Sequence, residues 1–234
     1  MKKLLLFAVV ILFAACSEEE SSSSMVKKAI SVAEQNVSLE ESPSLGAIPA
    51  LQLQYKEADK QVKVLLEEFA KKSEEEFKKG GSMEDAIRAN MILDDLKKET
   101  KEELESIYKE KIMAEAGKLD GKALTVEFDK EQFTSISAVL HTAADSSINK
   151  PFNIVAELTL AKPLPYTDWS WSVEAMWEYL DADGKNITAG NKSIKDFKKY
   201  KAGDVVTVEI KPTTYLVGEK AMKFAKMSFR VGGY

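Results

Sequence analysis

A short aromatic segment in the second half of the chain contains residue types that can bind sugars. Residues 163–171 read Pro-Leu-Pro-Tyr-Thr-Asp-Trp-Ser-Trp. The rings of Tyr166 and Trp169 can stack on the apolar face of a sugar, because flat aromatic faces offer a large apolar contact area. The carboxylate of Asp168, between them in the sequence, can accept hydrogen bonds from sugar hydroxyls. Tyr166, Asp168 and Trp169 are therefore candidate ligand-binding residues.

The same segment also has a structural interpretation. Apolar side chains occupy every second position, and serine or glutamate occupies most of the positions between them. The apolar set is Trp169, Trp171, Val173, Ala175, Trp177 and Tyr179. This alternation predicts one long β-strand with its aromatic face turned to the core. We expect Tyr166 and Trp169, at the start of that strand, to be the exceptions that face solvent.

Cys16, the one cysteine of the chain, is a candidate for covalent modification. It follows two lysines and twelve apolar residues, Leu4 to Ala15. A basic start and a short apolar run that ends in small residues are the parts of a signal peptide, here residues 1–15. The run is too short to span a bilayer, which takes about 20 residues. The segment 13–16, Phe-Ala-Ala-Cys, resembles the lipobox of bacterial lipoproteins, which implies cleavage before Cys16 and acyl chains on its thiol and amine.

The residues after Cys16 bear on location. Residues 17–20 read Ser-Glu-Glu-Glu, and such an acidic run resembles the export signal of surface lipoproteins in Bacteroidota. The resemblance implies display on the outside of the outer membrane. The alternative location is the periplasmic face, with the glutamates only keeping the tether soluble. Two or more acyl chains would give stable anchoring, so we expect the membrane to be a partner through Cys16.

Composition limits the classes of function. The chain has 33 basic and 38 acidic residues, and loss of two lysines with residues 1–15 leaves a net charge of about −7. A general nucleic-acid-binding protein favours a strongly basic face, so we expect no nucleic acid as a partner. With Cys16 acylated, no thiol remains for a disulfide, a thiolate metal site or a nucleophile. We also expect no cofactor and no metal.

The first half of the mature chain has the pattern of a tether followed by helices. Residues 16–50 form the tether, with one short helix predicted at 25–37. Apolar residues then recur every three or four positions, interrupted by Gly80 and Gly81. We predict that residues 51–116 form a helical hairpin, because two amphipathic helices joined by a short turn fold back on each other. The alternative is a coiled coil with another chain.

The second half changes to the period of strands. Several short segments between residues 120 and 234 alternate apolar and polar side chains, with turn residues between them. This pattern suggests an antiparallel β-sandwich of about the size of an immunoglobulin domain. The fold class predicted for the whole chain is therefore α+β, with an N-terminal helical hairpin followed by that sandwich.

Two polar clusters admit both a functional and a structural interpretation. Residues 181–185, Asp-Ala-Asp-Gly-Lys, resemble the opening of a calcium loop, but the glycine is fourth rather than sixth, and a hairpin turn explains them better. Five lysines surround two aromatic residues between 192 and 201. They are either a basic patch for an anionic glycan, a lipid headgroup or an acidic partner, or a solvated loop whose two aromatic side chains point inward.

The sequence contains little that is typical of an enzyme. His141, the one histidine, is followed by Asp145 and Ser146, but this spacing is no indication of a catalytic triad. The chain lacks the motifs of common hydrolases, dinucleotide-binding proteins and zinc proteases. We therefore expect that the protein is not an enzyme.

The resulting hypotheses come from three classes of function. The first is a non-catalytic binding or scaffold module in the cell envelope, with a protein partner. The second is a glycan-binding accessory lipoprotein of polysaccharide uptake. The third is a hydrolase, which depends only on the acidic residues of the chain. The sequence leaves the ligand and the oligomeric state open.

Overall fold

The structure is a computed structural model that describes residues 21–211 and 216–233 and has an α+β fold. Cys16 and the predicted signal peptide lie outside the described residues. The helices are α1 (Ser22–Asn36), α2 (Ile48–Lys78), α3 (Met83–Leu119) and α4 (Glu219–Met222). The strands are β1 (Thr125–Phe128), β2 (Phe133–Ser147), β3 (Lys150–Leu160), β4 (Val173–Leu180), β5 (Asn186–Ser193), β6 (Val205–Ile210) and β7 (Lys226–Gly233). None of the helices among these residues is long and apolar enough to cross a bilayer.

Local sequence explains where the long helices begin and end. Pro49 lies in the first turn of α2, where a proline has no hydrogen bond to lose. Gly80, with φ +123°, ends α2. Ser82 then caps α3, since its hydroxyl accepts the backbone N–H of Asp85 at 3.2 Å and the Asp85 carboxylate accepts the backbone N–H of Ser82 at 3.0 Å.

The described residues fall into two compact units. The first comprises Leu53–Tyr108 together with the chain up to Ser38, and the second comprises Leu39–Gln52 and the chain from Lys109 onward. In the first unit the rings of Tyr55 on α2 and Tyr108 on α3 meet edge to face, with centroids 5.7 Å apart. The side chain of Gln54 donates to the carbonyl of Val37 at the end of α1, at 2.8 Å. These contacts join the three helices of the first unit.

The second unit contains two sheets. One has the strand order β1-β7-β4-β5 and the other the order β2-β3-β6. All neighbouring strands are antiparallel except β1 and β7, which run parallel with Thr125 opposite Lys226. The prediction of wholly antiparallel pairing is therefore wrong at this pair. Alternation within a strand shows which face is buried, but it does not show the direction of a partner about 100 residues away.

Each sheet has one buried face that carries the alternating apolar residues. On β3 and β4 every second side chain is buried, from Ile154 to Leu160 and from Val173 to Tyr179. The buried side chains of β6 and β7 continue these faces: Val206, Val208, Ile210, Met227, Phe229 and Val231. The hydrophobic core of the second unit thus lies on these faces.

Buried polar side chains attach the segment before α2 and the start of α2 to the rest of the second unit. The Ser42 hydroxyl donates to the carbonyl of Ala221 at 3.0 Å, and the Ser44 hydroxyl donates to that of Ala225 at 2.9 Å. Gln52 donates to the carbonyl of Ile148 at 2.8 Å and accepts the backbone N–H of Gly218 at 3.2 Å. The sequence pattern assigned this segment only to the tether.

Candidate ligand-binding surface

A loop between β3 and β4, residues 163–172, carries all three predicted site residues and is called here the tryptophan loop. Two buried side chains hold its ends, Leu164 near the start and Val173 directly after the end. The backbone of Gly233 on β7 also approaches closely, since a Cβ atom added there would lie 2.3 Å from the carbonyl oxygen of Pro165. The base of the loop is therefore fixed on the sheet that contains β4 and β7.

A tight turn shapes the middle of the tryptophan loop. The backbone N–H of Ser170 donates to the carbonyl of Thr167 at 3.0 Å, and the Ser170 hydroxyl accepts the backbone N–H of Thr167 at 2.9 Å. The two hydroxyls lie 3.4 Å apart. Such side-chain-to-backbone bonds compete with a regular strand, so the chain turns here instead of extending.

The turn places two tryptophans in solvent. Trp169 is 86% exposed and Trp171 is 91% exposed, whereas Trp177 on β4 is 6% exposed. The prediction that Trp171 packs in the core is therefore wrong, because β4 begins only at Val173 and the alternating face does not reach back to Trp171. The solvent exposure expected for Trp169 is present, and Asp168 beside it is also exposed.

Tyr166 connects the tryptophan loop with a second segment. Its ring is 40% exposed and meets the ring of Phe197 edge to face, with centroids 5.5 Å apart. Phe197 begins a short 3₁₀ turn that ends at Lys199. The ammonium group of Lys198 lies 5.9 Å from the centroid of the Phe197 ring, within the range of a cation–π contact.

This second segment, residues 192–204, is called the lysine segment and is strongly basic. It contains five lysines and two aspartates, so its net charge is +3 in a chain whose net charge is −5. Asp196 forms an ion pair with Lys199 at 3.0 Å. The carboxylate of Asp204 accepts the backbone N–H of Lys201 at 2.7 Å. Phe197 and Tyr200 are half-buried, so both aromatic residues help to hold the segment in place.

A small cleft lies against the first half of the tryptophan loop. Its volume is about 200 Å³, and it is bounded by the prolines of the loop, by Lys162 and by the end of β7. The side-chain oxygen of Gln132 in this cleft already accepts the backbone N–H of Val231 at 3.0 Å. Pockets for small molecules usually measure about 300–1,000 Å³. The exposed rings outside the cleft are therefore the stronger candidate for recognition.

The residues that resemble a calcium loop form a turn. The Asp181 carboxylate accepts the backbone N–H groups of Asp183 and Lys185, at 3.0 and 2.8 Å. Gly184 has φ +83°, which suits glycine at a tight turn. Within residues 21–211 and 216–233, no three His, Cys, Asp or Glu side chains are grouped so that they could hold a metal ion.

The one histidine of the chain lies beside an aspartate. His141 on β2 has its Nδ1 3.8 Å from the carboxylate of Asp120, and both side chains are about half exposed. The same carboxylate accepts the backbone N–H of Thr142 at 2.8 Å. These contacts join the residue that follows α3 to β2, an edge strand of its sheet.

The first unit has an apolar area of its own. A groove of about 270 Å³ between α2 and α3 is lined in part by Phe69, Phe77 and Leu93. Exposed apolar side chains of α3 lie near it in the sequence, at Met83 and Ile87. Sequence reasoning placed these residues inside a hairpin or in a coiled coil and did not single them out.

Comparison with protein-family models, with curated proteins and with solved structures found no match for this chain.

Proposed function

We propose that this protein is a lipid-anchored lipoprotein of the bacterial cell envelope that acts as a non-catalytic binding module. The observation that carries the proposal is the pair of exposed tryptophans in the tryptophan loop. Large aromatic side chains are usually buried, at least in part, and their exposure in a loop with a fixed base marks a recognition surface. The adjacent lysine segment gives that surface a positive charge.

The finer architecture belongs to the same proposal. α2 and α3 form a hairpin, which the contact between Tyr55 and Tyr108 and the shared groove support. The two sheets of the second unit form a β-sandwich, which their buried faces and the contact between the rings of Phe128 and Phe133, with centroids 6.4 Å apart, support. Loops at the edge of such a sandwich are common positions for recognition.

The anchor is tested on the full chain produced in a bacterium that has an outer membrane. We expect mass spectrometry to find acyl chains on Cys16 and globomycin to block processing of the precursor. Protease added to intact cells should cut the protein if it faces outward, and should leave it intact if it lies on the periplasmic face. An unmodified thiol at Cys16 would refute the anchor.

Binding is tested by comparing the full chain with its Trp169→Ala/Trp171→Ala variant. Both proteins are cross-linked mildly in native membranes, and the molecules captured by each are compared. A molecule that only the wild type captures is the ligand of this surface. A matched variant, Met83→Ala/Met91→Ala, removes two exposed apolar side chains from the first unit and should capture as the wild type does. Equal capture by all three proteins would refute the proposed surface.

A second candidate is glycan binding in support of polysaccharide uptake. It is favoured by the presence of Tyr166, Asp168 and Trp169 on one exposed loop. Binding on a glycan array should then be lost in both Tyr166→Ala and Trp169→Ala. Array binding that survives both substitutions would remove this candidate.

A further inference from the structure

We propose that the tryptophan loop and the lysine segment form a membrane-docking surface, in which Trp169 and Trp171 enter the interface of a bilayer with anionic phospholipids. This inference rests on the proposed function, because it names the ligand of the same surface. The lipid anchor would hold the N-terminus of the protein, and this surface would hold the second unit against a membrane.

The exposure of the two tryptophans favours a bilayer over a sugar. A sugar-stacking ring works best when neighbouring side chains hold it flat, so that one face is offered and little freedom is lost on binding. At 86% and 91% exposure, neither Trp169 nor Trp171 is held in this way. Insertion into a lipid interface needs no fixed ring orientation, and tryptophan is enriched at that depth because it is apolar with one polar N–H.

The hydrogen-bonding groups of the loop point to the same conclusion. Sugars are recognised through several hydrogen bonds to side chains in addition to stacking. The hydroxyls of Thr167 and Ser170, which flank the first tryptophan, are used within the turn itself. The other hydrogen-bonding side chains within residues 163–172 are the carboxylate of Asp168 and the hydroxyls of Tyr166 and Ser172. The loop therefore offers large apolar surface with few groups that could orient a sugar.

The lysine segment supplies charge complementary to an anionic bilayer. It is joined to the tryptophan loop through the ring contact of Tyr166 with Phe197. Lys195, Lys198 and Lys201 are exposed, and lysine side chains are long enough to reach phosphate groups while neighbouring rings lie deeper. Clusters of lysine next to a membrane attract anionic lipids. The lysine segment can do so locally even though the net charge of the whole protein is negative.

Asp168 distinguishes the two ligands. Next to Trp169 its charge would be repelled by an anionic bilayer, whereas on a sugar it would accept hydrogen bonds. The substitution Asp168→Asn removes the charge and keeps the size of the side chain. It should therefore strengthen binding to anionic vesicles and weaken binding to a glycan.

The experiment uses the mature chain with Cys16→Ser, which lacks the lipid and retains every residue that the structure describes. Vesicles of phosphatidylcholine, with and without phosphatidylglycerol, are sedimented with the protein. We expect binding that requires phosphatidylglycerol and decreases with salt, because salt screens exposed charges. Tryptophan fluorescence should shift to the blue on binding, and the buried Trp177 should make no contribution to that shift.

Two variants test the two parts of the surface. Trp169→Ala/Trp171→Ala should weaken binding at least about tenfold, since each indole has about 150–250 Å² of surface to bury. A triple lysine-to-glutamine variant at 195, 198 and 201 should weaken binding to anionic vesicles by at least about tenfold. The matched controls are Met83→Ala/Met91→Ala and a triple lysine-to-glutamine variant at 97, 101 and 109, and both should bind as the wild type does.

The outcomes separate this inference from the function on which it rests. Vesicle binding that is unchanged in the tryptophan variant, or that is absent in the wild type, overturns the membrane-docking surface. If a soluble anionic polysaccharide such as alginate binds instead, and Asp168→Asn weakens that binding, the ligand is a glycan and the binding module stands. If capture in native membranes also fails to depend on the tryptophans, the binding module itself fails.

Discussion

Gln52 is the residue whose replacement tests the packing of the second unit most directly. It lies on α2 and is 7% exposed, and its amide bridges two backbone groups from distant parts of the chain. The amide nitrogen donates to the carbonyl of Ile148 at 2.8 Å, and the amide oxygen accepts the N–H of Gly218 at 3.2 Å. Gln52→Met keeps the length of the side chain and removes both hydrogen bonds.

The expected cost follows from the two groups left behind. A buried backbone group that loses its partner costs about 1–3 kcal/mol, so two such groups cost about 2–6 kcal/mol. The apolar end of methionine recovers a small part of this by its own burial. We therefore expect Gln52→Met to lower the free energy of unfolding by about 3 kcal/mol. For a chain of this size that corresponds to a decrease in Tm of roughly 6–12 °C.

A second variant, Gln52→Glu, makes the hydrogen bond to Ile148 depend on pH, because only the protonated carboxyl can donate it. A carboxylate at this position still accepts the N–H of Gly218, but it cannot donate to Ile148 and meets its carbonyl oxygen instead. Burial and that oxygen both disfavour the charged form, so the pKa of the introduced carboxyl should be raised. A raised pKa stabilises the folded state below about pH 4, the usual value for glutamate, and this contribution is lost as pH rises through the folded-state value. The variant should therefore be close to the wild type in acid and destabilised at pH 7.

Urea unfolding followed by circular dichroism measures both effects. The matched control is Gln61→Met on the same helix, whose amide bonds to Glu57 at 2.7 Å and is less buried, and which should cost under about 1 kcal/mol. The reasoning would be refuted if Gln52→Met cost no more than Gln61→Met. An equal loss in Gln52→Glu at pH 4 and pH 7 would show that the pKa of the introduced carboxyl is not raised and would refute the assigned environment.

Three further predictions follow from side chains in both units. Gly190→Ala should cost about 1–3 kcal/mol in urea unfolding, because the added Cβ would lie 2.7 Å from the buried indole of Trp177. Gly117→Ala, in an exposed position of α3 with nothing within 4 Å, should instead stabilise by about 0.5–1 kcal/mol; a loss at Gly117 would contradict the helix there. Burial raises the pKa of Tyr108 to about 12, and burial with nearby carboxylates raises that of Tyr55 to about 12. The free energy of unfolding should therefore keep its full value below about pH 10 and decrease as pH rises from 10 to 12. In Tyr108→Phe it should decrease less steeply over the same range.

The sequence predicted the helices well because their signals are local. The spacing of apolar residues, the two glycines after α2 and the cap at Ser82 all act within a few residues of each other. The beginning of α2 was less predictable, since a proline can either end a segment or occupy the first turn of a helix. At Pro49 the second applies, and the contacts of Ser42 and Gln52 that fix this start come from residues more than 90 positions away.

The pairing of strands could not be predicted from the sequence. Alternation identified the buried faces of β3, β4, β6 and β7, because it depends only on neighbours along the strand. The parallel pairing of β1 with β7 depends on how the whole chain between them folds. No local pattern in four residues, 125–128, carries that information.

The exposure of the tryptophan loop was predicted in part, and the error has a physical cause. The pattern of alternation continued through Trp169 and Trp171 into β4, so apolar character alone suggested a buried strand. The turn that removes both tryptophans from the sheet depends on two small hydroxyl side chains, Thr167 and Ser170, whose bonds to the backbone compete with strand pairing. In this chain the turn between Thr167 and Ser170 precedes a strand that begins only at Val173. Here the turn exposes Trp171, which the alternation assigned to the core, beside Trp169, which was expected to face solvent.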